Sequence, residues 1–193
     1  PMNDRRDEAV RYFGLNPDKK TVLLVGGSQG ALGINKGISA QLASFNNNDY
    51  QLIWQTGNHY YDKALQEVKE HGLDDRIKCT VFIDRMDLAY AAADVVISRA
   101  GAMSISELSL LNKAVVFVPL PTAAEDHQTK NAAALANENA AILIPDKEAS
   151  EKMVPELLKL IEDEERAQIM AENIKKFALP DAIHKIVKEV MVL

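Results

Sequence analysis

The most constraining feature of the sequence is an apolar run at residues 21–25 that ends in Gly26-Gly27-Ser28-Gln29-Gly30. Such a run is typical of a buried parallel strand, and the segment after it permits a helix. Glycines let the backbone turn sharply and approach a ligand closely. The first amides of the helix lack intrahelical partners and lie at the positive end of its dipole. The sequence therefore predicts either an anion site, most often for phosphate, or a plain strand-to-helix turn.

Size and charge narrow the class of protein. The chain has 193 residues, of which 47% are hydrophobic, and a formal net charge of -6. This is enough for one α/β domain with a real core. The acidic balance argues against nonspecific nucleic-acid binding, which needs a basic surface, and no apolar run is long enough to span a bilayer. The single cysteine, Cys79, lies in an apolar run, which predicts a reduced core residue and no disulfide or cysteine zinc site.

Apolar strand patterns alternate with helical patterns along the chain. The predicted strands cover residues 21–25, 51–56, 77–82, 95–98, 114–119 and 141–145. The predicted helices cover residues 5–13, 31–44, 60–71, 86–93, 101–111, 125–137, 150–163, 164–177 and 181–190. This alternation predicts an α/β fold with a parallel sheet covered by helices on both faces. Such sheets bind ligands beyond the carboxyl ends of their strands, so the residues after each strand are candidates for the site.

The glycine turn fits neither of two common nucleotide-binding motifs. Counted from Gly26, the glycine positions of G-x-G-x-x-G hold Ser28 and Ala31, and a P-loop lysine is missing after Gly30. Dinucleotide chemistry and kinase-like ATP chemistry are therefore disfavoured. The turn remains an anion cradle of another kind, in which Ser28 and Gln29 add side-chain donors.

A second candidate follows the fourth predicted strand. Arg99 offers a positive charge and Ser104 a hydroxyl, both suited to phosphate oxygens, while Gly101 and Ala102 let a ligand reach the backbone. Glu107 suits the paired hydroxyls of a ribose. The alternative is that Ser104-x-x-Glu107 forms a capping box that only stabilises the start of a helix.

A third candidate follows the fifth predicted strand, where a proline-bounded loop enters a helix. Asp126, His127, Gln128 and Asn131 place polar groups at this point. Amides and carboxylates bind sugar hydroxyls well, since each hydroxyl both donates and accepts a hydrogen bond. The alternatives are a polar helix start with a solvated histidine and a capping box at residues 122–125.

Four stretches together resemble, in order and spacing, the carboxyl-terminal half of the MurG family of glycosyltransferases. They are GGSQG at 26–30, FIDRM at 82–86, SRAGA at 98–102 with Glu107, and DHQTKNA at 126–132. The resemblance implies one half of a GT-B fold, which has two Rossmann-like domains and a cleft between them. It also implies that residues 1–193 form a single donor-binding domain with tail helices at 164–193, and that a longer parent carries an amino-terminal acceptor domain.

The resemblance assigns residues to a UDP-N-acetylglucosamine donor. The backbone of Ile83 is expected to pair with the uracil edge, and Glu107 to hold the ribose hydroxyls. The turn with Ser28 and the segment 102–104 are expected to face the diphosphate. Gln128 is expected to reach the sugar hydroxyls, with the preceding histidine beside it. With the residues argued above, the expected donor site comprises Gly27, Ser28, Gln29, Gly30, Ile83, Arg99, Gly101, Ala102, Ser104, Glu107, His127, Gln128 and Asn131.

The reaction that the resemblance implies is an inverting transfer of N-acetylglucosamine that converts lipid I to lipid II in peptidoglycan synthesis. The general base, the lipid acceptor site and the membrane-binding surface are expected in the amino-terminal half, on the cytoplasmic side of the bacterial cell membrane. We therefore expect the present chain to be a soluble fragment that binds donor and transfers nothing.

Neither a cofactor nor a metal ion is expected. The sequence has no acidic pair placed after a strand to hold a divalent cation against the leaving diphosphate. Two helix starts, Arg99 and the hydroxyls of Ser28 and Ser104 offer electrostatic stabilisation of that charge instead.

Three other classes compete with this interpretation. One is the donor half of another GT-B enzyme, such as a glycolipid glycosyltransferase or a UDP-N-acetylglucosamine epimerase. Another is a noncatalytic nucleotide-sugar-binding subunit that needs a partner chain. A flavodoxin-like module comes third and predicts FMN binding, which the lack of a suitable aromatic pair after the strands disfavours.

Overall fold

The computed structural model describes residues 5–27, 29–46 and 49–179. Its strands form one parallel sheet in the order β3-β2-β1-β4-β5-β6. The α/β fold with a parallel sheet is confirmed. The strands are β1 (Lys20–Val25), β2 (Tyr50–Gln55), β3 (Ile77–Thr80), β4 (Val95–Ser98), β5 (Ala114–Phe117) and β6 (Ile142–Leu143).

Helices connect the strands and extend beyond the last one. Among the helices of the described residues, none has the length and apolar character needed to cross a membrane. The α-helices are α1 (Arg6–Phe13), α2 (Leu32–Ser39), α3 (Tyr61–Glu70), α4 (Met86–Ala92), α5 (Ala102–Leu111), α6 (His127–Asn137), α7 (Val154–Glu162) and α8 (Glu164–Ile174).

Helices pack on both faces of the sheet, and successive side chains of a strand point to opposite faces, so both sets of side chains are buried. In β1, Val22 and Leu24 pack into a core beneath α2, α3 and α7. Leu23 lies between them in sequence and packs into the other core, beneath α1, α4, α5 and α6. All three side chains are fully buried. This two-sided burial is the reason the strands read as continuous apolar runs rather than as alternating ones.

Several predicted boundaries are wrong by a few residues. The predicted strand 77–82 ends at Thr80, whose hydroxyl donates a hydrogen bond to the carbonyl of Phe82 and closes a turn (2.7 Å). The predicted helix 150–163 is interrupted, since a π-helical turn over Ala149–Met153 precedes α7. The predicted helix 181–190 lies outside the described residues.

The start of α6 is also later than predicted. Glu125 and Asp126 have left-handed backbones, with φ of 51° and 56°. Two such residues in a row end the helical pattern, so α6 begins at His127 rather than at residue 125. Left-handed conformations are disfavoured for non-glycine residues, which places local strain at the entrance to α6.

Two glycine turns lock against each other at the carboxyl edge of the sheet. Gly30 follows β1 with φ +76°, and Gly57 follows β2 with φ +71°. A Cβ added to Gly30 would overlap the carbonyl of Thr56, and one added to Gly57 would overlap the amide of Gly30. Neither position accepts a side chain without moving backbone, so each turn fixes the position of the other.

This contact predicts unequal costs for two glycine substitutions. Gly30→Ala is expected to lower the free energy of unfolding by about 2–5 kcal/mol, because it adds backbone overlap to left-handed strain. Gly72→Ala is the matched control, since Gly72 also has a left-handed backbone (φ +65°) but open space around it. It is expected to lose only about 1–2 kcal/mol. Urea unfolding followed by circular dichroism measures both, and equal losses would contradict the interlock.

Candidate functional site at the carboxyl edge of the sheet

The register of the sheet brings the ends of neighbouring strands together. Val25 of β1 lies beside Gln55 of β2 and Ser98 of β4, and Ser98 in turn lies beside Phe117 of β5. The loops that follow these strands therefore emerge at one edge. A cavity of about 640 Å³ opens there. It is lined by Gly26, Gly30, Ala31, Leu32, Gly33, Lys36, Arg99, Leu120, Pro121, Thr122, Asp146 and Ser150.

Other cavities lie elsewhere on the molecule. One of about 320 Å³ lies at the amino ends of β1, β4 and β5, and one of about 420 Å³ lies beside α8. Ligands of open parallel sheets bind at the carboxyl ends of the strands. A cavity of about 370 Å³, lined by Pro119, Asp126 and Leu143 among others, also opens at this edge. The cavity of about 640 Å³, here called the strand-end cavity, is the candidate site because it is the larger of these two and includes the glycine turn after β1.

The glycine turn after β1 forms one wall of the strand-end cavity. The amide of Gly30 donates a hydrogen bond to the carbonyl of Gly27 (2.9 Å), and both residues have positive φ. Gln29 is exposed, and Ser28 lies outside the described residues. Helix α2 begins after Ala31 without a side-chain cap. Among the residues that the structure describes, no side chain caps its first amides, as an anion-binding turn requires.

Arg99 lines the same cavity but is held by its neighbours. Its Nη1 donates to the carbonyls of Val118 and Pro119, both at 3.0 Å, and to the Asp146 carboxylate at 2.5 Å. The side chains of Arg99 and Asp146 are 14% and 22% exposed. Sequence reasoning predicted that Arg99 brings a positive charge, and the structure places a compensating carboxylate on it.

The start of α5 does not form the capping box that was one interpretation of its sequence. Helix α5 begins at Ala102 with Gly101 as its cap residue, and no side chain caps it. Ser104 is therefore the third helical residue rather than the cap. The capping-box interpretation at residues 122–125 is wrong as well, since α6 begins at His127 without a side-chain cap. Within the described residues, the first turn of α5 therefore has no capping side chain.

Glu107 lies one turn further along α5 and is exposed. Its carboxylate accepts a hydrogen bond from the buried hydroxyl of Tyr90 in α4, at 2.9 Å. Burial raises the pKa of Tyr90, and the nearby Glu107 charge raises it further. The tyrosine therefore stays protonated and holds the carboxylate in place. A positioned carboxylate at this edge is suited to accept hydrogen bonds from the hydroxyls of a ligand.

The polar residues of the first turns of α6 make hydrogen bonds with backbone groups of neighbouring loops. Gln128 accepts a hydrogen bond from the amide of Leu120 at 3.0 Å, and Asn131 donates to the carbonyl of Ala100 at 3.5 Å. His127 is exposed, and its Nδ1 contacts the carbonyl of Ala124 at 2.7 Å. The bonds of Gln128 and Asn131 connect α6 to the loops after β5 and β4.

Ile83 is placed apart from the strand-end cavity. It is 3% exposed and lines a smaller cavity of about 320 Å³ after β3, together with Thr80 and the half-exposed Phe82. The predicted residues therefore fall into three groups along one edge. Gly30 and Arg99 line the strand-end cavity, and Ile83 lines its own cavity. The other described residues of the predicted site line neither of these cavities: Gly27, Gln29, Gly101, Ala102, Ser104, Glu107, His127, Gln128 and Asn131.

Three residues of this edge were missed by sequence reasoning. Lys36 and Asp146 line the strand-end cavity. Gln55 is 2% exposed, and its Nε2 donates to the carbonyl of Gly27 at 3.4 Å. Asp146 and Gln55 each stand at or just after a strand end, which is the signal that could have found them. Lys36 lies one turn inside a helix, where the search after each strand did not reach.

The contacts of Arg99 predict its contribution to stability. Arg99→Met leaves the Asp146 carboxylate and two carbonyls without their donor, so the free energy of unfolding is expected to fall by about 1–3 kcal/mol. Asp146→Asn keeps an acceptor for the guanidinium and is expected to lose less. Urea unfolding measures both variants. A loss for Asp146→Asn as large as that for Arg99→Met would contradict the assigned contacts.

The fold is a parallel α/β domain in which α2 and α5 begin at the carboxyl edge of the sheet, and comparison with known proteins assigns this domain to a family. The model of the glycosyltransferase family 28 C-terminal domain matches residues 21–186. The chain belongs to this family, and the expected resemblance to the MurG family is confirmed.

Relatives cover nearly the whole chain. The chain is 50% identical over 188 residues to a Parabacteroides distasonis protein named UDP-N-acetylglucosamine--N-acetylmuramyl-(pentapeptide) pyrophosphoryl-undecaprenol N-acetylglucosamine transferase. It is 51% identical over 189 residues to the protein of that name from Bacteroides fragilis. Each alignment covers 97% of this chain and 50% of the relative. The chain therefore spans about half the length of the curated relatives it matches.

A solved structure shares the fold. The crystal structure of Acinetobacter baumannii MurG matches with a TM-score of 0.79 and 26% identity, over 96% of this chain and 53% of that one. The fold is thus one half of a GT-B glycosyltransferase, as expected.

Proposed function

We propose that this chain binds UDP-N-acetylglucosamine along the carboxyl edge of its sheet, as the donor half of a transferase that converts lipid I to lipid II. The observation that carries the proposal is the pair of open helix starts. Helices α2 and α5 follow the adjacent strands β1 and β4, and no side chain of the described residues caps either helix. The names of the relatives support the choice of nucleotide sugar.

The proposed chemistry concerns the charge on the leaving diphosphate. As the bond to the sugar breaks, negative charge grows on the phosphate oxygens, and amides fixed at a helix start stabilise it without reorganisation. The interlocked turns at Gly30 and Gly57 hold one such set of amides in place. Glu107, held by Tyr90, accepts hydrogen bonds from the ribose. Gln128, whose side-chain oxygen accepts a hydrogen bond from the amide of Leu120, hydrogen-bonds the sugar hydroxyls.

The proposal divides the reaction between two parts of the full enzyme. Residues 1–193 form the donor-binding domain, and the lipid-linked acceptor and the general base belong to a further domain. That domain also makes the contact with the cytoplasmic side of the membrane. Donor binding is therefore the activity that this chain is expected to show by itself.

Calorimetric titration tests donor binding. UDP-N-acetylglucosamine and UDP are both expected to bind the purified chain within the millimolar range, with equal affinity in EDTA and in magnesium, because helix amides rather than a metal ion meet the diphosphate. Competition with UDP-glucose and UDP-N-acetylgalactosamine measures sugar selectivity. Silence of both UDP-N-acetylglucosamine and UDP at millimolar concentration would contradict the proposal, and preference for another UDP-sugar would identify a different GT-B donor.

Glu107 gives a sharper test of the ribose site. Glu107→Ala is expected to weaken UDP binding by roughly 1.5–3 kcal/mol, since the ribose hydroxyls lose a charged acceptor. The control is Glu138→Ala, which removes an exposed carboxylate at the far end of α6 and leaves the site intact. Calorimetry measures affinity and thermal unfolding measures stability. Unchanged affinity with a lower melting temperature would show that Glu107 acts in folding alone.

A further inference from the structure

The strand-end cavity has an uneven charge balance. Its charged lining residues are Lys36, Arg99 and Asp146. Arg99 and Asp146 compensate each other through the contact at 2.5 Å, and two backbone carbonyls also accept from the guanidinium. Most of the guanidinium charge is thus matched inside the protein, and the pair offers little net attraction to an incoming anion.

Among the charged residues described in the lining, Lys36 is the one whose charge is not compensated by an ion pair. Its side chain is exposed, and within residues 5–27, 29–46 and 49–179 it makes no hydrogen bond or ion pair. It lies in the last turn of α2, one turn after Leu32, which is the first residue of the helix. Side chains of a helix lean toward its amino terminus, and Lys36 lines the strand-end cavity together with Gly26 and Gly30 of the glycine turn.

We infer that Lys36 is a donor-binding residue that contacts the diphosphate of a nucleotide sugar in the strand-end cavity. The inference rests on the proposed function and adds a residue and a charge to it. The helix amides supply fixed dipoles, whereas Lys36 supplies a full positive charge on a flexible stem that reaches phosphate oxygens. Arg99, fixed by Asp146, contributes a positioned donor rather than a net charge.

The experiment compares ligands that differ only in phosphate. The probes are UDP and uridine, titrated into the chain and into Lys36→Gln, Lys36→Arg and the control Lys69→Gln. Lys69 is exposed on α3, outside the lining of the strand-end cavity, so its loss changes net charge by the same amount. Glutamine is nearly as good a helix former as lysine, so folding is preserved. Circular dichroism of each variant checks this.

The expected result is a loss that depends on the phosphates. Lys36→Gln should weaken UDP binding about 5- to 10-fold, the size expected of an exposed charge-assisted contact, and leave uridine binding unchanged. Lys36→Arg should keep UDP affinity within about 2-fold, because the charge remains. Lys69→Gln should bind both ligands with the affinity of the unmodified chain. Raising the salt concentration should weaken UDP binding less in Lys36→Gln than in the parent.

Other results overturn the inference in distinct ways. If the parent binds UDP and Lys36→Gln binds it equally well, Lys36 plays no part and the proposed function still stands. Equal loss of UDP and uridine, or equal loss in Lys69→Gln, would assign the effect to folding or to net charge. If the unmodified chain binds neither ligand, the proposed function is wrong, and the inference that rests on it is wrong as well.

Discussion

The close approach of the turns after β1 and β2 is the constraint on which the rest of the site depends. The Asn35 side chain reinforces it, since its Nδ2 donates to the carbonyl of Thr56 at 2.8 Å and its Oδ1 accepts from the indole of Trp54 at 2.9 Å. All three residues are buried. A buried amide satisfied on both sides is costly to move, so α2 and β2 hold the glycine turn as one unit.

Charge at the carboxyl edge is arranged with little freedom. Arg99 spans the loops after β4, β5 and β6 through one nitrogen, so it ties the edge together as much as it charges it. Tyr90 likewise holds Glu107, because its hydroxyl donates a hydrogen bond to the carboxylate. Both candidate side chains are held by partners from other elements, which is how a site keeps its geometry before a ligand binds.

Sequence reasoning succeeded where the information is local and failed where it depends on tertiary contacts. The apolar runs and glycines predicted the parallel sheet and the turn after β1, because burial and left-handed backbone leave direct marks in sequence. The Asp146 partner of Arg99 lies 47 residues away and becomes visible only when β6 reaches its place in the sheet. The late start of α6 follows from the left-handed backbones of Glu125 and Asp126, and these residue types do not predict that conformation.

The family assignment came from the order of four short motifs, each of them weak alone. The model match over residues 21–186 and relatives at about half identity agree with it. The motifs identified positions such as Glu107, but not the residues that hold those side chains in place. Tyr90 lies 17 residues earlier in an alanine-rich helix that sequence alone marks only as core.

The chain contains one tryptophan, and that residue is Trp54, fully buried with its indole nitrogen bonded to Asn35 of α2. Its emission therefore originates from a single, water-shielded ring whose polar neighbour sits in the helix behind the glycine turn. Excitation at the long-wavelength edge of the protein absorption, where the five tyrosines absorb little, therefore reports on this one residue near the proposed nucleotide site rather than on an average over the molecule.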